Sequence, residues 1–217
     1  YDLVKLMAGS RGALGVLTEV SLRVQAQPET EVTLQAHQGP ADGLRALREA
    51  LRSPFDVSGA AYANGCAMLR IEGMAGSVAY RSQALQGRLG GEWKAATEAA
   101  SAALWRDVRD VTAFAGQSGS VWRLVIKPTE AERIVREFGP AVVDWGGGLV
   151  WLLTEGGQGA AVRTAVDGIG HATLVRATPG DAGTAILPPD LGSVAQLSAG
   201  LRRMFDPRGI LLAEGLA

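Results

Sequence analysis

The chain has 217 residues, 47% of them hydrophobic and 20% charged, with a formal net charge of −1. That is enough to bury a core in one or two globular domains. Acids and bases are interspersed, so no basic field exists to capture nucleic acid or an anionic membrane. A single cysteine, Cys66, excludes an intrachain disulfide framework and a cysteine-held iron–sulfur cluster within this chain, which fits a reducing, cytoplasmic setting. No apolar run approaches membrane-spanning length.

The first segment, Leu6–Val20, is a turn with Gly9, Gly12 and Gly15 at three-residue intervals, leading into a β-branched stretch. The pattern predicts a strand over Gly15–Val24, closed by the polar Gln25-Ala26-Gln27-Pro28. Beyond it, Glu31–Ala36 alternates as a strand, and Ala41–Arg52 has helical period with Leu44, Leu47 and Leu51 on one face. Asp56–Ala63 and Cys66–Gly73 read as strands joined by Asn64-Gly65, a strong hairpin signal. Ser77–Leu89 is helical and a short strand is expected near Glu92-Trp93.

A linking helix over Glu98–Phe114 buries Leu104, Trp105, Val108 and Val111, and then the same order returns. Ser120–Lys127 is a strand, and Thr129 and Glu132 are spaced as a capping box for the next helix. Ala141–Trp145 and Leu149–Leu153 form a hairpin, Gln158–Gly168 a helix and Ile169–Arg176 a closing strand. A loop over Thr178–Asp190 precedes a last helix, Ser193–Met204, with Leu197, Leu201 and Met204 inward. The two hairpin turns, at Asn64 and Gly146, lie about 80 residues apart. The expected class is therefore α+β: duplicated ferredoxin-like βαββαβ units that form antiparallel sheet, either two sheets or one, with the helices of the units on one face.

Few residues invite chemistry. Gly9-Ser10-x-Gly12-x-x-Gly15 either offers backbone donors and the Ser10 hydroxyl to a pyrophosphate or is simply a glycine-rich turn; a strand follows it rather than a helix, unlike a Rossmann fingerprint. His37 and His171 are the only histidines and have no ligand-spaced carboxylates, so a metal site is not expected. His171 shares a strand face with Thr173 and Val175. It is either an edge histidine bonded to a carbonyl or a polar group over a ligand, able to donate to an oxyanion or accept a proton. Arg123, between Val121 and Val125, either snorkels at an edge or binds a carboxylate bidentately. Trp145 and Trp151, flanking the hairpin glycines, are core by default or else line a flat aromatic ligand.

Taken together, these segments resemble the FAD-binding (E) subunit family of bacterial glycolate oxidases, within the vanillyl-alcohol oxidase and para-cresol methylhydroxylase class. The residues that carry the resemblance are Asp2-Leu3-x-Lys5-Leu6-Met7-Ala8-Gly9-Ser10-x-Gly12-x-Leu14-Gly15-Val16, Val121-Trp122-Arg123-Leu124, Val143-Asp144-Trp145-Gly146-Gly147, Gly170-His171-Ala172-Thr173-Leu174 and Phe205-Asp206-Pro207-x-Gly209-Ile210.

The resemblance implies residues 1–28 as the last part of an FAD-binding domain, with its final strand. It implies 29–177 as a cap or substrate domain of two βαββαβ repeats, and 178–217 as a return toward the FAD domain. It implies backbone contacts to FAD from Gly9, Ser10, Gly12, Gly15 and Val16; Arg123 and His171, singled out above from their strand faces, are the catalytic candidates. The implied reaction is oxidation of glycolate to glyoxylate by hydride transfer to flavin. Electrons would pass to an iron–sulfur F subunit beside an FAD-linked D subunit, in the cytoplasm or peripherally on the inner face of the plasma membrane. The chain departs from the family in having Leu211–Gly215 where Asn-Pro-Gly is common, and Arg11 where related dehydrogenases carry an acid. These departures leave two alternatives: a non-catalytic bridging subunit, or a flavoenzyme for another 2-hydroxy acid such as D-lactate. Most of the FAD domain is expected to lie outside this sequence, so that the chain alone would neither hold FAD tightly nor turn over.

Overall fold

The computed structural model describes residues 2–188, 190 and 192–211, so the departure noted at residues 212–215 lies outside it. Two compact units are present: Tyr1–Gln25 with Ala185–Ala217, and Ala26–Thr184. The first opens with one helical turn, α1 (Leu3–Met7), whose Lys5 N–H donates to the Asp2 carboxylate at 3.3 Å. Residues 8–29 then form neither helix nor strand. The strand expected over Gly15–Val24 makes no ladder, because a strand needs a hydrogen-bonding neighbour and none of the described residues supplies one.

The second unit contains β1 (Thr30–His37), α2 (Pro40–Leu51), β2 (Gly59–Ala63), β3 (Cys66–Gly73), α3 (Ala75–Leu89), β4 (Lys94–Thr97), α4 (Glu98–Asp110), β5 (Ser120–Ile126), α5 (Ala131–Phe138), β6 (Ala141–Asp144), β7 (Leu149–Thr154), α6 (Gly159–Val166) and β8 (Gly170–Arg176). All strand pairs are antiparallel, in the order β4-β1-β3-β2-β6-β7-β5-β8. Read from each edge inward the halves are identical in plan, β4-β1-β3-β2 and β8-β5-β7-β6. They fuse into one sheet where Tyr62 meets Val143 and Ala63 meets Val142.

Period-two alternation sorts the strands cleanly. Leu34, Leu69, Ile71, Trp122, Leu124, Val150, Leu152 and Leu174 share one face, and against them pack Leu44 and Leu47 of α2, Val78 and Leu85 of α3, Ile134 of α5, and Val162 and Val166 of α6. The four helices of the repeats therefore lie on a single face, as the pattern predicts. The linking helix goes to the other. Val108 of α4 and Phe114 of the following 3-10 turn pack with Ala61, Met68, Val121, Val142 and Leu153.

Three local expectations shift. The strand placed at Glu92-Trp93 forms at Lys94–Thr97, because Gly90 and Gly91 take positive φ and the Trp93 indole donates to the Gly90 carbonyl at 3.0 Å, which holds the chain in a loop. The Thr129–Glu132 capping box does not form. Pro128–Glu130 is a 3-10 turn, α5 starts at Ala131, and Glu132 pairs with Arg136 at 2.8 Å instead. The second unit closes at Thr184 rather than at 177, because the loop turns back onto β5: the Ser120 hydroxyl donates to the Asp181 carboxylate, and the Thr178 N–H donates to Ser120 Oγ at 3.1 Å.

The first unit resumes with α7 (Gly192–Phe205). Leu197 and Met204, expected inward, stand 69% and 74% exposed, and no residue of the helix is buried among the described residues. Asp206 then ties the following turn, accepting from the Ile210 and Leu211 N–H groups at 3.0 and 2.8 Å. Those donors hold its carboxyl below the usual range.

Candidate functional site: the open corner of the sheet

The second face of the sheet is only partly roofed. α4 begins over β1 and β3, where Trp105 donates to Thr33 Oγ1 at 2.8 Å and Ser101 shares a hydrogen bond with the same hydroxyl at 2.7 Å. The indole sits in a notch that only glycine leaves: a Cβ on Gly59 would lie 2.6 Å from the Trp105 ring. Arg70 stacks over that ring at 5.0 Å, pairs with Glu72 at 3.0 Å and donates to Ser58 Oγ at 3.2 Å. The roof ends at Phe114, pinned by Arg176, which donates to the carbonyls of Phe114, Gln117 and Gly119 at 3.3, 2.8 and 3.2 Å.

Beyond that end the face is bare. Arg123 and Val125 on β5 lie opposite Thr173 and His171 on β8, so Arg123 and His171 share this face as diagonal neighbours across the ladder. Arg123 is half-buried and His171 exposed. Arg123 makes no hydrogen bond or ion pair with any described residue; its guanidinium lies over the Trp145 ring, 5.6 Å from the centroid. Trp145, a core residue by expectation, is instead 55% exposed, and Val175 is 54% exposed on the same face. Trp151, by contrast, packs half-buried against the cluster under α4.

The β6–β7 turn sets this corner. Gly147, at φ +112, passes so close to Pro128 that a Cβ would lie 2.6 Å from its carbonyl oxygen. Trp145 takes φ +54, a left-handed conformation costly for a bulky side chain. Its N–H donates to the Asp144 carboxylate at 2.7 Å. Burial pushes the Asp144 carboxyl above its ordinary value, against the opposing pull of the Trp145 N–H and Arg70.

The glycine turn belongs to the first unit. Gly9 and Gly12 have φ of +86° and +82°, with nothing within 4 Å of where a Cβ would stand, so their backbone is open to a ligand. Ser10 N–H donates to the Met7 carbonyl at 3.1 Å and the Ser10 carbonyl accepts from Ala13 at 2.9 Å, giving two successive turns. Gly15 packs beside Met7, and Val16 is exposed. Among the described residues no three His, Cys, Asp or Glu side chains gather as a metal site, and no helix is long and apolar enough to cross a membrane.

No protein-family model matches the sequence. Over 211 residues, 97% of its length, the chain is 33% identical to the glycolate oxidase subunit GlcE of Escherichia coli (strain K12). The chain is similar to GlcE along nearly its whole length. It spans 55% of the length of that relative, and the matched region takes in both compact units. Its fused eight-stranded antiparallel sheet with flanking helices is compatible with the C-terminal domain of a GlcE-like FAD-linked oxidase. Sequence reading named Arg123, in a row with Val121 and Val125, and His171, in a row with Thr173 and Val175; it did not join the two rows, which β5–β8 pairing does, and it missed that Trp145 is the partner of Arg123. The only signal for that was an Asp-Trp-Gly-Gly turn on a strand two positions away in the sheet.

Proposed function

We propose that this chain is the substrate-facing portion of an FAD-dependent glycolate oxidase subunit, in which the open sheet corner receives the carboxylate of a small 2-hydroxy acid. Arg123 carries the reading. A half-buried guanidinium with none of its donors used by the described residues suits an anion, and a carboxylate matches its fork bidentately. The similarity to a glycolate oxidase subunit supports glycolate as that acid.

Gly9 and Gly12 fit a cofactor contact, since the space beside each lets a ligand approach the backbone, and Ser10 adds a hydroxyl between them. When bound, FAD supplies the hydride acceptor for oxidation to glyoxylate. Arg123 would then hold the substrate carboxylate, and His171 would take the proton of the substrate hydroxyl. In this reading the compact unit of Tyr1–Gln25 with Ala185–Ala217 belongs with the FAD-binding domain. The exposed Val16, Leu17, Val20, Leu22 and Val24 support that placement, because a valine-rich apolar run of this kind is suited to a sheet. Electrons would leave to an iron–sulfur partner subunit, with the complex in the cytoplasm or held peripherally at the membrane by its partners.

The test is glycolate-dependent dye reduction by the full-length subunit assembled with its partners. Arg123→Ala should lower kcat/KM roughly tenfold to a hundredfold with assembly intact, and His171→Ala should lower kcat. A second reading draws on the apolar exposure of Trp145 and Val175 at the same corner, which suits contact with a partner subunit. Full turnover in both variants would favour that bridging role.

A further inference from the structure

The two hairpins of the repeats are built around the same pair of left-handed residues. Asn64 and Gly65 have φ of +51° and +74°; Trp145 and Gly146 have +54° and +63°. Asparagine followed by glycine is the residue pair such a turn favours, since asparagine tolerates the left-handed region and glycine enters it without cost. Tryptophan does not. The second repeat therefore places a disfavoured, largely exposed aromatic residue where the first has the favoured one. Its ring lies under the guanidinium of Arg123, across the intervening strand β7.

Resting on the reading of Arg123 as a carboxylate receptor, we propose that Trp145 is its positioning residue. The indole face fixes the guanidinium by cation–π stacking while leaving every N–H donor of the fork free for a small carboxylate. A carboxylate side chain in that place would hold the arginine but neutralise it, as Glu72 does for Arg70 beneath the roofed half. An aromatic face restrains the cation without competing for its donors. The strained turn is the cost of bringing the ring to that spot. The site so formed selects small carboxylates, since the ring that orients the arginine also occupies one side of it.

The experiment is a glycolate titration of the 217-residue chain, with acetate as a second probe and chloride as control, followed by the Arg123 Nε–H resonance in arginine-labelled protein, with thermal unfolding alongside. A saturable shift is expected for glycolate and acetate but not for chloride, and it should be absent in Arg123→Ala. Trp145→Asn, which installs the residue of the first hairpin, should unfold at the same or a higher temperature yet bind glycolate about three- to tenfold more weakly. Trp145→Phe, which keeps a ring, should recover most of that loss. If the parent chain shows no saturable shift, or Arg123→Ala binds as the parent does, the receptor reading itself fails. If Arg123→Ala abolishes binding while Trp145→Asn binds like the parent, the positioning role is overturned and the receptor reading stands. A lower unfolding temperature for Trp145→Asn would also overturn the positioning role, by making the loss structural.

Discussion

The two halves of the sheet share a strand order and a helix-covered face, yet their second faces have opposite fates. Under α4, Arg70 stacks on Trp105 and is neutralised by Glu72, and Thr33, Ser101 and Trp105 satisfy one another in a closed network. At the far corner Arg123 stacks on Trp145 without an ion pair to any described residue, and Trp145 and Val175 are more than half exposed. The same pairing of arginine and tryptophan is closed into packing in one place and, in the other, leaves an arginine without an ion pair to any described residue. What separates them is the reach of the linking segment: α4 ends at Asp110 and the 3-10 turn after it at Phe114, short of Arg123 and His171. Duplication of a fold thus does not duplicate a site, because the site depends on which part of a common surface is left uncovered.

The sharpest way to break this contrast is to truncate one tryptophan on each face. Trp122 is fully buried beneath the helices, and Trp122→Ala should cost about 3–5 kcal/mol in denaturant unfolding. Trp145→Ala should cost less than about 1 kcal/mol, since the ring is more than half exposed and sits in a disfavoured turn. Equal losses would mean that the corner is core after all.

Next in size, Thr33→Val leaves the Trp105 indole and the Ser101 hydroxyl without their shared partner. It should cost about 1–3 kcal/mol and speed hydrogen exchange in α4 while leaving β5 and β8 protected. Uniform loss of protection across the sheet would show that the roof and the open corner are not separable.

A smaller, pH-dependent effect is expected at Asp144. Burial raises its carboxyl above its ordinary value, so the folded state holds the proton more readily than the unfolded one. The ionised group then costs stability once the pH rises through its folded value, and that cost fades as the pH falls toward the usual range. Asp144→Asn keeps an acceptor for the Trp145 N–H and removes the charge. It should be more stable than the parent at neutral pH and indistinguishable from it in acid, in unfolding curves measured across the range. The smallest effect is at the surface: Asp42→Ala breaks an exposed pair with Arg45 and should shift stability by no more than about 0.5 kcal/mol.

The sequence by itself was enough for the repeat. Alternation along Glu31–Ala36 and Ser120–Lys127, the helical stripe of Leu44 and Leu47, and the Asn64-Gly65 turn are signals carried within a few residues, and local periodicity survives folding. It also put Arg123 on an otherwise apolar row and His171 with Thr173 on one face. It did not determine that the run from Gly15 to Val24 lacks a ladder, since pairing needs a neighbour that the run cannot encode. Nor did it determine which face the linking helix covers. The stripe of Leu104, Trp105 and Val108 says that this helix buries something, but the notch at Gly59 that receives Trp105 comes from a strand some forty-five residues earlier. Only the tertiary structure decided that Trp145, two strands from Arg123 in the sheet order, would turn its ring over that guanidinium. Strand identity is set by neighbours along the chain, whereas exposure and side-chain partnership are set by neighbours in space.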